Sequence, residues 1–146
     1  MRYFRLLIAA LIIAASTAVR AELPTTTLSI AGNAITAEVA ANNPDRMQGL
    51  MNRRMMPEGR GMVFVFTEVA RHAMWMKNTF IPLSVAFIDD KGIITNIEDM
   101  QPHTETAHGA VRPARYALEM NLGWFKKRKI GPGARVEGLE KLPAPQ

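Results

Sequence analysis

The chain has 146 residues, a formal net charge of +5 at pH 7 and no cysteine. Missing thiols exclude disulfide staples, thiolate zinc sites and cysteine nucleophiles, so the fold must rest on apolar burial. The length suits one domain with a sizeable core.

Residues 1–21 read as an export signal. Arg2 and Arg5 precede an apolar run at 6–15, and Val19 and Ala21 occupy the −3 and −1 positions of a cleavage site. The run is shorter than the about 20 residues a spanning helix needs, so a cleaved signal is expected rather than an anchor. Cleavage leaves 125 residues, 22–146, as a single β-rich domain expected in the periplasm or secreted, with no membrane insertion. Arg2, Arg5 and Arg20 leave with the signal, so 15 basic residues then face 13 acidic ones. The dense basic run Lys126-Lys127-Arg128-Lys129 reads as a solvated helix face, and no nucleic acid is expected as a partner.

Residues 25–40 alternate in polarity about Ala31-Gly32-Asn33-Ala34, the pattern of a β-hairpin with one buried face. Asn43-Pro44-Asp45 then offers a capping amide and a proline in the first turn. Met47, Leu50, Met51 and Arg54 follow at helical spacing, predicting two or three turns that end before Pro57 with an apolar stripe. Residues 62–66 are apolar on both faces, as a central strand requires. Strands are predicted at 72–76, 81–88 and 93–98, with a turn at Asp89-Asp90-Lys91-Gly92. A polar loop is expected over 101–113, bounded by Pro102 and Pro113. A strand at 116–120 precedes a short helix bearing Trp124 and Phe125, capped by Asn121. The turn at 131–133 leads to a last strand at 135–138, and the tail from Leu142 is expected to fray. This element list predicts a mainly β fold, a compact β-sandwich or partly open barrel with one or two short helices.

Catalytic constellations are weak. Ser29 and Ser84 are the serines beyond the signal, and neither sits in a Gly-x-Ser-x-Gly elbow. His103, Glu105 and His108 lack the spacing that points two imidazoles at one ion. No enzyme is expected. A softer metal site is an alternative: in an extended strand His72, Met74 and Met76 share a face, a donor set that suits copper as Cu(I). The competing view places Met47, Met51, Met62, Met74, Met76 and Met120 on apolar faces as core filler.

The remaining chemistry is that of binding. Trp75, Lys77 and Asn78 put an aromatic plate, a cation and an amide within four residues. Glu119 and Asn121 share a strand face, and Glu119 stands between apolar Leu118 and Met120. If buried, that acid needs a partner, and Lys77, Arg53 or Arg115 could supply one. The group reads either as a structural ion pair with turn-capping amides or as a pocket for a small polar ligand such as a sugar or acid; a protein-partner surface is a third possibility.

The strings at 49–57 (GLMNRRMMP), 61–66 (GMVFVF), 74–89 (MWMKNTFIPLSVAFID), 97–102 (IEDMQP) and 113–124 (PARYALEMNLGW), with Arg135-Val136, occur in order over residues 28–138. Together they resemble the domain-of-unknown-function family 192, a set of small, often exported prokaryotic proteins. The resemblance implies a compact, mainly β domain with no established activity, and it transfers no catalytic residue. That family commonly has an acid after the last glycine, where this chain has Gly133-Ala134-Arg135-Val136. The sequence as a whole is therefore read as an exported binding or accessory module of unknown ligand, with a periplasmic copper-binding protein as the alternative.

Overall fold

A computed structural model describes residues 22–146, and the export segment read at 1–21 lies outside the described residues. The strands are β1 (Thr25–Ile30), β2 (Asn33–Ala40), β3 (Arg60–Ala70), β4 (Ala73–Met74), β5 (Leu83–Ile88), β6 (Ile94–Met100), β7 (His108–Gly109), β8 (Ala114–Asn121) and β9 (Val136–Glu137). Two short helices, α1 (Asn43–Gln48) and α2 (Trp124–Lys127), and a 3-10 turn at Leu139–Lys141 complete the elements of the described residues. Seven strands form one sheet in the order β6-β5-β8-β3-β2-β1-β9, antiparallel except for the β2–β3 pair. The sheet curls into a partly open barrel. Its two edges meet at one end, where Ile93 bridges Arg135 and Ile94 exchanges hydrogen bonds with Gly133 and Ala134. Of the two architectures the sequence allows, the barrel is realised.

Because side chains alternate along each strand, the sheet has two buried faces and hence two cores. Inside the curl lie Ile35, Val63, Val65, Ile88, Leu118, Met120 and Trp124. The outer face carries Met62, Phe64, Leu83, Val85, Phe87 and Ala117, and it is covered by Leu50, Met56, Met76, Ile81 and Ala110 from the connections. Both faces of β5 are buried, which explains its unbroken apolar run. At Gly61 the backbones of β3 and β8 approach closely. A Cβ there would collide with the Met120 sulfur and stand 2.5 Å from the Glu119 carbonyl oxygen.

Several predicted elements are corrected. Asn42 rather than Asn43 caps α1, its side chain accepting from the Asp45 amide at 2.9 Å, and the helix stops at Gln48, before Gly49 with φ of +48°. The helix has no buried residue and Met47 is 61 % exposed; of the expected apolar stripe, Leu50, beyond the helix end, reaches the core. The predicted 72–76 strand shrinks to β4. It pairs with β7, which interrupts the loop at 101–113. Asn121 does not cap α2; Gly123 does, and the Asn121 amide donates to the Met56 carbonyl at 2.8 Å. The tail is tied down, since Leu142 packs on the inner core and the Gln146 amide donates to Ala41. No helix among the described residues is long and apolar enough to cross a membrane.

Candidate functional site

Glu38, Met62, Glu119 and Val85 stand side by side in one row across β2, β3, β8 and β5, all pointing to the outer face. The row contains two nearly inaccessible carboxyls, Glu38 and Glu119. Arg53, from the connection after α1, reaches Glu38 with both guanidinium nitrogens, Nη1 to Oε1 and Nη2 to Oε2 at 2.8 Å. Burial alone would raise the Glu38 pKa. The Arg53 hydrogen bonds and charge, with the Leu23 amide, outweigh it and hold the carboxyl below its ordinary range.

Glu119 has no such help. Its carboxyl makes no hydrogen bond or ion pair with any described residue, and burial pushes its pKa up to about 8. The two flanking side chains in its row, Met62 and Val85, are fully buried and apolar. Even as the neutral acid, a buried carboxyl without a partner costs about 1–3 kcal/mol. A fold keeps such a group only where something offsets that cost, which makes Glu119 the first place to look for function.

Glu119 forms one wall of a narrow cavity of about 30 Å³, lined also by Arg46, Met47, Gln48, Gly49, Leu50, Met51, Phe64, Met74, Trp75 and Thr79. Arg46, Met47, Phe64, Met74 and Trp75 equally line a wider cleft of about 460 Å³ that continues past Phe66, Thr67, His72 and Glu105. The two spaces form a funnel with a mostly apolar mouth, where His72 and Glu105 also stand, and a single acid in its throat. Met47 and Trp75, 61 % and 42 % exposed, stand at the mouth. Phe66 is stacked on His72 with ring centroids 3.8 Å apart. A larger groove of about 670 Å³ lies over Glu38 and Arg53. Arg53 and Arg60 of that groove are paired with Glu38 and Glu22, whereas Glu119 in the funnel has no partner among the described residues.

The residues singled out in the sequence separate into three places. Trp75 and Glu119 line the same throat. Lys77 is exposed and holds its ammonium 5.2 Å from the Trp75 ring centroid, so it pairs with the aromatic ring and not with Glu119. Asn78 is exposed in a turn with φ of +52°, where its carbonyl accepts from the Asn52 amide. Arg53 serves Glu38, and Arg115 serves the Phe66 and Thr67 carbonyls, so neither candidate cation reaches Glu119. His72 and Met74 line the funnel mouth, whereas Met76 is fully buried in the outer core. Met47, Met51 and Thr79 belong to the throat and were missed. For Met47 and Met51 the signal is their helical spacing, but the helix ends at Gln48 and Met51 reaches the throat from the connection that follows. Among the described residues no cluster of three or more His, Cys, Asp or Glu side chains is disposed to hold a metal ion.

Comparison with known proteins adds a family and a fold. The DUF192 family, described as an uncharacterized ACR, matches residues 26–138, and the chain belongs to it. A crystal structure from Sinorhizobium meliloti 1021, described as that of a candidate transcription regulator, is 38 % identical. It covers 81 % of this chain and 96 % of its own, with a TM-score of 0.75. A protein of unknown function from Novosphingobium aromaticivorans DSM 12444 is 29 % identical, with 80 % and 86 % covered and a TM-score of 0.75. No curated protein matches the chain.

Proposed function

We propose that this DUF192 member is a binding module that seats a small ligand in the funnel, its apolar body between Met47 and Trp75 and one polar head at Glu119. The observation carrying this reading is the unpartnered Glu119 carboxyl, buried at the end of a cavity that opens into an apolar cleft. Binding sites have this composition: mostly apolar walls with few, well-placed polar groups. Methionine-rich walls adapt to varied shapes, which suits an accessory protein more than a catalyst. A ligand that satisfies Glu119 would recover part of its desolvation cost. Export through the segment at 1–21 would place this activity outside the cytoplasm.

Trp75 supplies the test. A ligand screen read by tryptophan emission should find compounds that change the fluorescence of the wild type. The change should vanish in Trp75→Phe, because Trp124 is buried in the other core. Hits that bind Glu119→Gln as tightly as wild type would refute the role of the acid.

A second reading has one observation in its favour. Met47, Met51 and Met74 converge with Glu119 on the same small cavity, and thioethers with one carboxylate suit a soft monovalent ion such as Cu(I). This donor set differs from His72, Met74 and Met76. Competition against a chromophoric Cu(I) chelator decides it: the reading requires one equivalent bound, and weaker binding in Met47→Leu with Met74→Leu.

A further inference from the structure

We propose that Met47 is a site of reversible oxidation by peroxides, and that its sulfoxide oxygen is received in the throat by Glu119. The proposal concerns the chain itself and stands whether or not the funnel holds a ligand. Its first ground is the distribution of the methionines. Met62, Met76, Met100 and Met120 are fully buried, and Met56 nearly so, which closes them to an oxidant. Met51 and Met74 are half-buried. Among the described methionines Met47 and Met55 alone stand exposed, at 61 % and 74 %. A thioether reacts on contact with the oxidant, so exposure sets the order of reaction. The two exposed sulfurs belong to different places. Met55 lines the large groove, whereas Met47 lines both the throat and the mouth of the funnel.

The second ground is what the throat already holds. Glu119 is buried there without a partner among the described residues. As the neutral acid it has an O–H to donate, and the half-buried Gln48 amide in the same wall is also unpartnered. Oxidation gives Met47 one polar oxygen on an unbranched side chain with three rotatable bonds. The throat, at about 30 Å³, is close to one water's share of the liquid and has room for that atom. The step balances with hydrogen peroxide or an organic hydroperoxide as oxidant. The Met47 sulfur attacks one peroxide oxygen, and the S–O bond forms as the O–O bond breaks. Sulfur gives up two electrons, and the peroxide proton passes to the departing oxygen, which leaves as water or an alcohol.

Contact with Glu119 has its own signature in pH. A sulfoxide oxygen accepts from the neutral carboxyl and is repelled by the carboxylate, so it favours the protonated form. Burial already holds the Glu119 proton to about pH 8. Oxidation of Met47 should move its release to higher pH by about half to one unit, the equivalent of one net hydrogen bond. The other charged groups facing the funnel are Arg46 from α1 in the throat, His72 and Glu105 at the mouth, and Lys77 over the Trp75 ring. They are the same whether Met47 or Met55 is oxidised, so comparing the two isolates the new oxygen.

The experiment treats the folded, purified protein with graded hydrogen peroxide and locates each added oxygen by peptide mass analysis. Met47 and Met55 should gain oxygen before Met51 and Met74, and the buried methionines last. The two epimer-specific methionine sulfoxide reductases should then remove the oxygen from Met47 without unfolding. Met55→Leu yields protein oxidised at Met47 alone, and Met47→Leu yields protein oxidised at Met55 alone. Denaturant midpoints from pH 6 to 10 should show the fall in stability displaced to higher pH in the first and unmoved in the second. Gln48→Ala, added to the first, should keep the displacement. Oxidation of Met51 or Met74 ahead of Met47 would overturn the site, and a sulfoxide that the reductases cannot reach would overturn its reversibility. No displacement on oxidising Met47, an equal one on oxidising Met55, or its loss in Gln48→Ala would overturn the contact with Glu119.

Discussion

Glu38 and Glu119 flank Met62 in one row of the same sheet, are both nearly closed to solvent, and have opposite chemistry, Glu38 beside the large groove and Glu119 deeper in the fold. The connection after α1 drops Arg53 onto Glu38, while over Glu119 α1 places Met47 and the already committed Arg46, and the connection adds Met51. The first carboxyl is held ionised and cross-links its connection to the sheet. The second is held neutral and faces a cavity. Low solvent exposure does not by itself set the chemistry here; depth and the presence or absence of a partner do.

The largest expected consequence is in pH. Glu119 keeps its proton to about pH 8 in the folded protein, whereas an unfolded glutamate releases it near 4.5. Between those limits the native state binds more protons, so stability falls as pH rises, by several kcal/mol in total, and levels off above pH 8. Glu38 has the opposite sign. Its pKa is lowered, so its contribution is complete above the unfolded value and is lost as pH falls through the native one. Denaturant midpoints from pH 3 to 9 should show a maximum near the ordinary carboxylate range. Glu119→Gln should flatten only the alkaline limb. A wild type with constant stability from pH 5 to 8 would contradict a buried, unpartnered Glu119.

Next in size is removal of the partner that distinguishes the two acids. Arg53→Met leaves Glu38 buried and unpaired, and should cost about 3 kcal/mol at pH 7, the low end of the range for buried pairs. The low end applies because the Arg53 side chain keeps 32 % of its surface in water. The variant should also acquire a second alkaline limb, since Glu38 would then resemble Glu119. A loss under about 1 kcal/mol would mean that solvent already screens the pair.

Glu119→Met should do the reverse. It replaces an unsatisfied acid by an apolar side chain of similar length between Met62 and Val85, and should stabilise the protein by about 1–2 kcal/mol at pH 7. A stabilising substitution that also abolishes ligand binding would mark Glu119 as retained for function. Chemical denaturation at pH 7 measures it, and a destabilisation would reveal a partner for the carboxyl.

Most of the fold was legible in the sequence, and the funnel only partly. The barrel strands are long enough to show period-two alternation or unbroken apolar runs, so β2, β5, β6 and β8 lie where the pattern puts them, and β3 contains the expected 62–66 run but extends to Ala70. The connections are different. Met47 and Met51 have helical spacing, which fits a stripe facing a core and a rim facing a cleft equally well. The chain departs from the helix at Gly49 and sends Leu50 inward while Met47 stays in water. Glu119 was identifiable as an acid in an apolar strand. Its lack of a partner was not, because Arg53, Lys77 and Arg115 all lay within plausible reach until the connections were placed. The Arg53–Glu38 pair joins residues 15 apart through a non-repeating loop, where no periodicity operates.

The smallest effect concerns Lys77, two residues beyond Trp75 of the throat. Its side chain is exposed and its nearest charge-related contact is the Trp75 ring at 5.2 Å. An exposed cation–π contact contributes about 0.5–1 kcal/mol, so Lys77→Met should change stability by no more than that. A double-mutant cycle with Glu119→Gln should give coupling within about 0.5 kcal/mol of zero, as for residues that share no contact. The same cycle on Arg53 and Glu38 should give strong coupling, which makes it the internal control. Coupling of several kcal/mol between Lys77 and Glu119 would mean that the lysine swings into the throat in solution. It would then be the missing partner of the acid and would occupy the place assigned to the ligand's polar head. Zero coupling leaves the throat open and the carboxyl available.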